Sequence, residues 1–243
     1  MLSNSYTDPR LTAVYDPLNP GRQDIDFYLA VAGDQPMVVL DVGCGTGRLA
    51  CEFAARGHQM TGADPALAML DVARNRVGGN NVTWVNSSAV DLSLDTRFDL
   101  IIMTGHAFQV ILEDTEILSA LRNLHSHLAP GGRLAFETRN PAVREWDKWT
   151  PEQTREVVRV PDIGDVQVHN DISAEQGQLV TYETHFKFAD DDIVVTYDTL
   201  RFLSASEVAK FLDDAGFRHI EWLGNWDESE LAATNPEIIV IAD

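Results

Sequence analysis

The segment Val38-Val39-Leu40-Asp41-Val42-Gly43-Cys44-Gly45-Thr46-Gly47 constrains this chain more than any other. Met37–Val42 is a short apolar run and reads as a buried strand. It leads straight into three alternating glycines, after which Gly47–Arg56 has the pattern of a helix that stops at Gly57. Glycines at such a turn let the chain bend tightly and let a ligand approach the backbone. In open α/β sheets, ligands sit in the crevice at the carboxyl ends of the strands, where the strand order reverses. Gln59–Ala63 reads as the next strand, and a second acid, Asp64, ends it. A carboxylate there can accept hydrogen bonds from both hydroxyls of a ribose.

The glycine spacing departs from the dinucleotide fingerprint G-x-G-x-x-G, whose backbone amides face a pyrophosphate. Here the pattern is G-x-G-x-G, with Asp41 just before it. A carboxylate repels a pyrophosphate and attracts an ammonium or sulfonium. The loop therefore suits a nucleoside with a cationic tail, which describes S-adenosylmethionine, and speaks against a nicotinamide-dependent oxidoreductase.

Further along, β-type and α-type patterns alternate. Asp64-Pro65 is expected to open a helix with Leu67, Leu70, Ala73 and Val77 as its apolar stripe. Val82–Val85 and Phe98–Met103 read as strands. Glu116–Leu128 reads as a helix stopped by Ala129-Pro130-Gly131-Gly132, with Arg133–Glu137 as the next strand. Such alternation predicts a parallel sheet covered on both faces. Before it, Asp16-Pro17 and Asn19-Pro20-Gly21 read as turns around a helix over Asp24–Ala32. After about residue 150 the pattern changes to β segments (Val157–Val160, Val166–Ile172, Leu179–Phe188, Ile193–Leu203), an antiparallel meander with Asp190–Asp192 as a solvated hairpin tip. Ser204-Ala205-Ser206-Glu207 is a capping box before a helix that Gly216 ends, and Phe217–Leu223 and Ile238–Ala242 are the last strands.

Composition narrows the function. Thirty-eight acidic against 18 basic residues leave a net charge of −20, a surface that repels phosphate backbones and anionic lipids. Nucleic acid and membrane are not expected partners. Two cysteines, Cys44 and Cys51, make neither a disulfide framework nor a zinc site, and His125 and His127 are too close in sequence to share a helix face. No metal site is expected. The N-terminal residues lack the form of a signal peptide, so a cytoplasmic location is the expectation.

The chain resembles the class I S-adenosylmethionine-dependent methyltransferases over about residues 37–140 and again from 204 onward. Leu40-Asp41-Val42-Gly43-Cys44-Gly45-Thr46-Gly47 matches the family's first motif. Gly62-Ala63-Asp64-Pro65, with Met69-Leu70 and Ala73-Arg74 behind it, matches the second. Phe98-Asp99-Leu100-Ile101-Ile102 and Leu128-Ala129-Pro130-Gly131-Gly132-Arg133-Leu134 are similar to the fourth strand and the turn into the fifth. The resemblance implies an α/β, Rossmann-like doubly wound sheet of seven strands, the last antiparallel, carrying a small antiparallel β insertion. It divides the chain into an N-terminal lid segment (1–36), a cofactor-binding core (37–150), an insertion covering the acceptor site (151–203) and a C-terminal completion of the sheet (204–243). It implies that Asp41 and the loop of Gly43, Cys44, Gly45 and Gly47 hold the methionine part of S-adenosylmethionine. Asp64, with Pro65 behind it, would take the ribose, Ser88 and Ala89 would border the adenine, and Thr104 would close the cofactor site. An acidic residue is common in the family where Ser88 stands.

The acceptor is narrowed by exclusion. Thr104-Gly105-His106-Ala107-Phe108 lacks the Asn/Asp-Pro-Pro-aromatic run of adenine-amino methyltransferases. Neither cysteine is placed for cytosine chemistry, no carboxylate metal ligand follows the fourth strand, and the paired-glutamate loop of arginine methyltransferases is missing. A small-molecule acceptor remains. Phe136-Glu137-Thr138-Arg139-Asn140-Pro141 followed by the meander looks like the glycine/sarcosine and sugar-amine N-methyltransferase group. The expected activity is metal-independent, in-line methyl transfer to an amine or hydroxyl. The alternative is a non-catalytic binder of S-adenosylmethionine or S-adenosylhomocysteine, and a homodimer is compatible with either. His106 is the candidate base or a brace for its loop. Arg139 holds an acceptor carboxylate or forms a salt bridge. Glu137 binds an acceptor amine or only ends a strand. Tyr15 closes the lid or packs, and Trp146 with Trp149 forms an apolar acceptor wall.

Overall fold

The computed structural model describes residues 3–189 and 191–243. Met1, Leu2 and Asp190 lie outside them, so of the expected acidic hairpin tip Asp191 and Asp192 are described. There Asp191 has a positive φ of 63° and its carboxylate lies 2.8 Å from Lys187 Nζ.

Seven strands form one sheet: β1 (Val38–Val42), β2 (Gln59–Ala63), β3 (Val82–Val85), β4 (Phe98–Met103), β5 (Leu128–Arg139), β10 (Ile220–Leu223) and β11 (Glu237–Ala242). Their order is β10-β11-β5-β4-β1-β2-β3. All pairings are parallel except those of β11, which runs against both β5 and β10. The order reverses between β1 and β4, so the ligand crevice is expected at the ends of those two strands. Side chains alternate across each strand and split the core in two. Leu40, Ile101, Phe136 and Val240 face one layer, under α6 (Asp114–His127) and α8 (Ala205–Ala215). Val39, Leu100, Ile102 and Ile239 face the other, under α3 (Gln23–Ala32) and α4 (Arg48–Ala55).

A second, four-stranded antiparallel sheet has the order β6 (Glu156–Val160), β7 (Gly164–Gln176), β8 (Leu179–Lys187), β9 (Ile193–Arg201). Val158, Val160, Val166, Val168 and Phe186 on its inner face pack against Leu11 and Val14. Those two belong to α2 (Pro9–Leu18), preceded by α1 (Asn4–Thr7). Asp16-Pro17, expected as a turn, lies inside α2. Pro9 stands in the first turn of α2, where a missing N–H costs nothing, and Pro17 falls in its last turn. The expected lid also divides, because α3 buries Ile25, Phe27 and Tyr28 in the core.

Two further expectations are corrected. The helix after Asp64 is α5 (Leu67–Asn75), so Pro65 precedes its cap, and Leu67 and Val77 are solvent-facing while Met69, Leu70 and Ala73 are buried. Asp64 itself makes the turn, its carboxylate accepting the Ala66 N–H at 2.7 Å. Ala129-Pro130-Gly131-Gly132 is not a separate stop: it lies within β5, where Leu128 already pairs with Phe98 across a register shift.

Candidate active site

The end of β1 and the start of α4 are joined by a loop that three contacts shape. Gly43 and Cys44 N–H groups both donate to Ala63 O, at 2.8 and 3.1 Å, and Gly45 N–H donates to Asp64 Oδ2 at 2.9 Å. Gly45 has φ +52° and open space where a side chain would begin, whereas a Cβ on Gly47 (φ +72°) would stand 2.4 Å from the Trp84 ring. The first glycine thus leaves room for a ligand and the second lets the helix meet β3. Asp64 is buried at the end of β2, and the Asn86 amide donates to Asp64 O and Pro65 O. Each Asp64 oxygen spends one lone pair on a backbone N–H and keeps another for a ligand. Ser88 and Ala89 follow β3, with Ser88 Oγ donating to Asp91 and Ala89 in the core; Thr104 follows β4.

Asp41, on β1, is 1% exposed and its Oδ1 has no hydrogen-bond partner. Burial, and then the nearby Asp64 and Glu137 charges, push its carboxyl up to about 8. An unpartnered buried carboxylate oxygen is costly unless a donor arrives from a ligand. The ammonium of an amino-acid tail supplies one. The glycine turn, the orphaned acid and the ribose-type carboxylate therefore fit S-adenosylmethionine, and Cys44, which is buried, contributes its backbone rather than its thiol.

A cavity of about 300 Å³ opens beside this loop, lined among others by Tyr6, Tyr15, His106, Arg139, Tyr182 and Asp198. It lies between α1 and α2, the loop after β4 and the inner face of the four-stranded sheet. His106 stands in the left-handed region at φ 59°. Its backbone N–H donates to Glu137 Oε1 at 2.7 Å, and its ring Nε2 lies 2.9 Å from Glu237 Oε2. Burial and the Arg139 charge lower its pKa to about 4, so at neutral pH the ring is uncharged and keeps one lone pair. The His106 main chain thus braces the loop through Glu137, and His106 also lines the cavity. Arg139 likewise lines the cavity while donating to Gln109 Oε1 at 3.0 Å, pairing with Glu145 at 3.2 Å and stacking over Trp149. Tyr15 lines the cavity, its hydroxyl 3.7 Å from where a side chain on Gly105 would begin. Burial, with the Asp64 charge next, pushes that phenol up to about 12.

Two expected acceptor contacts are not there. Glu137 is 0% exposed, with its oxygens taken by the Tyr28 hydroxyl and the His106 N–H, so it holds the loop and does not meet an acceptor. Trp146 is buried against Phe202 and does not line the cavity, whereas Trp149, packed on the same cluster, does. Sequence reasoning missed Asp198, Tyr6 and Glu237. For Asp198 a signal existed: it shares an inward face with Val194, Thr196 and Leu200, an acid on the apolar side of an amphipathic strand.

Residues 39–132 match the family model described as "Methyltransferase domain". A cypemycin N-terminal methyltransferase from Streptomyces is 32% identical over 104 residues, covering 43% of this chain and 42% of that protein. A tRNA 5-carboxymethoxyuridine methyltransferase from Escherichia coli K12 is 36% identical over 121 residues, covering 47% and 44%. The chain thus spans less than half the length of these two relatives. The solved structure of CalS10 with S-adenosylmethionine bound, an amino pentose methyltransferase from Micromonospora echinaspora, superposes with a TM-score of 0.69 at 22% identity, covering 95% of this chain and 94% of that one. Residues 39–132 thus carry the methyltransferase-domain match, and the seven-stranded sheet that holds them has the fold of CalS10, a structure with S-adenosylmethionine bound.

Proposed function

We propose that this chain transfers a methyl group from S-adenosylmethionine to the amine of a small molecule, with His106 taking the proton that the amine must lose. The carrying observation is the cavity of about 300 Å³ beside the cofactor loop, which has the size of a small-molecule site and has His106 in its wall. A binder without catalysis needs no such second chamber.

The bound sulfonium supplies an electrophilic methyl group. The chain's task is to hold a nitrogen lone pair in line with it and to exclude water. Asp198 and Glu156 put negative charge in the cavity wall, while the one arginine there, Arg139, is already paired with Glu145. That balance favours an acceptor that arrives as an ammonium over a neutral alcohol. Tyr6, Tyr15, Tyr182 and Trp149 add aromatic faces, which also suit a cation. An ammonium has no lone pair, so a base is needed, and the uncharged His106 ring provides one. Chain residues that line the small-molecule side are thus acidic and aromatic, and those on the donor side are glycine backbone and two carboxylates.

The test is methyl transfer from a labelled donor to matched panels of small primary and secondary amines and of alcohols. Amines are expected to be methylated, and His106→Asn is expected to reduce turnover by about a hundredfold with donor affinity retained. Methylation of alcohols alone, or full turnover in His106→Asn, counts against the reading.

A further inference from the structure

β11 is the strand that runs against its neighbours, and this inversion puts its first residue at the carboxyl edge of the sheet. Glu237 there stands in register with Arg139, the last residue of β5. An ordinary parallel strand would have delivered its C-terminal end to the same place. The result is a carboxylate from a late strand set beside His106, a residue of the cavity wall, 2.9 Å from its ring Nε2. The two side chains are 18% and 9% exposed, so water competes little for either.

The ring is held at two points. The Glu137 carboxylate fixes the His106 main chain, and Glu237 fixes Nε2. Glu137 itself is engaged by the Tyr28 hydroxyl. Among the described residues Nδ1 has no hydrogen-bond partner, and His106 borders the cavity.

We infer that Glu237 is the positioning residue for His106: its carboxylate accepts the Nε2–H, holds the ring in that tautomer, and leaves the Nδ1 lone pair for the proton lost by the acceptor amine. This rests on the proposed reading of His106 as the base. In the step, the N–H bond of the acceptor ammonium breaks and its electron pair stays on nitrogen. The proton bonds to Nδ1, and the imidazolium formed is balanced by Glu237.

The surroundings give the pair a pH dependence. Burial raises Glu237 to about 7, Arg139 from β5 opposes that, and Asp24 from α3 adds to it. Around the ring, burial and Arg139 disfavour the cation, while Glu137, Glu145 and Asp24 favour it. Below about pH 7 a protonated Glu237 donates to Nε2, the ring proton moves to Nδ1, and the lone pair facing the acceptor is lost.

The experiment is long-range 1H–15N spectroscopy on the full chain carrying 15N-histidine, with S-adenosylhomocysteine added, across a pH series spanning 7. The His106 signals are identified by their loss in His106→Asn. The expected result is the Nε2–H tautomer above pH 7, converting to Nδ1–H below it, with the conversion absent in Glu237→Gln. An Nδ1–H ring above pH 7 in the unaltered chain overturns the inference without any variant having to fold. So does the same conversion persisting in Glu237→Gln. On an amine found to be methylated, Glu237→Gln is expected to lower turnover at least tenfold with donor affinity unchanged. Full turnover in Glu237→Gln alongside a crippled His106→Asn removes Glu237 only, whereas full turnover in His106→Asn removes the base itself.

Discussion

The Asp41 carboxyl sits at 1% exposure with one oxygen unpartnered, and it keeps its proton up to about pH 8. A carboxyl in the unfolded chain loses that proton near its ordinary value of 3.8. Between those two values the folded chain holds a proton that the unfolded chain has released. Stability of the ligand-free protein therefore falls as pH rises through this window and levels off above about 8. A bound ammonium reverses the preference, so cofactor uptake below pH 8 releases a proton. Asp41→Asn removes the ionisable group. Its ligand-free thermal midpoint is expected to lie above that of the unaltered chain at alkaline pH, with donor affinity weakened by roughly tenfold or more. Differential scanning calorimetry and titration calorimetry read the two effects, and a variant that binds the donor normally would detach Asp41 from the site. Gly47 carries a purely steric constraint. At φ +72°, an alanine Cβ would meet the Trp84 ring at 2.4 Å and Ala73 Cβ at 2.8 Å. Gly47→Ala is expected to cost about 1–3 kcal/mol in chemical denaturation.

Among the elements, the strands and helices of the core were legible because their apolar period matched a buried sheet or a one-sided helix. β1, β2, β3 and β4 lie where the apolar runs put them, and the glycine loop stands beside Asp64, whose Oδ2 accepts the Gly45 N–H. Elements whose signals were local and contradictory were not legible. Asp16-Pro17 reads as a turn, although it ends α2, a helix stabilised by burying Leu11 and Val14 on the second sheet. The acceptor half resisted for a related reason: alternation marks Asp198 as an acid on an inward face, but the strand pairings that bring it to the cavity, and Glu237 to His106, are encoded by no spacing in the sequence. The start of α8 was read correctly from its residues. The Ser204 N–H donates to Glu207 Oε2 at 2.9 Å, and Glu207 Oε1 also accepts from Gln178 at 2.6 Å, which ties the helix to the turn before β8. The Ser204 hydroxyl, which donates to Glu207 Oε2 at 2.6 Å, holds Glu207 below the usual carboxylate range against the opposing effect of partial burial. Its contribution is therefore present above the ordinary value of 4.5 and lost as pH falls through the lowered one. Glu207→Ala is expected to lose about 1 kcal/mol at neutral pH, measured by urea denaturation, with the difference disappearing in acid.

In the whole molecule, α1 and α2 connect the two halves of the site. At one end the Ser5 hydroxyl lies within hydrogen-bond distance of the Thr196 hydroxyl and the Asp198 carboxylate of β9, each at 2.8 Å. At the other, Asp16 accepts the Thr46 hydroxyl at 2.6 Å and pairs with Arg76, which in turn donates to Thr46 O. Arg48 adds a bond to Asn19 O at 2.8 Å. The strap thus grips the cofactor loop through Thr46 and the acceptor sheet through Asp198. If Asp41 and Asp64 hold the cofactor as proposed, its exchange is expected to require the Asp16 end to let go. Loss of that grip affects escape more than encounter, since the acids that attract the ligand stay in place. Asp16→Ala is expected to speed dissociation of S-adenosylhomocysteine about tenfold with the association rate nearly unchanged, read by stopped-flow fluorescence of Trp84, whose ring packs on Gly47. The other end gives the control. Ser5→Ala loosens the strap over the acceptor sheet and leaves Thr46 held, so cofactor release is expected to stay as it was. Equal acceleration in both variants would show the strap moving as one rigid piece, and none in Asp16→Ala would show that the cofactor leaves by another face.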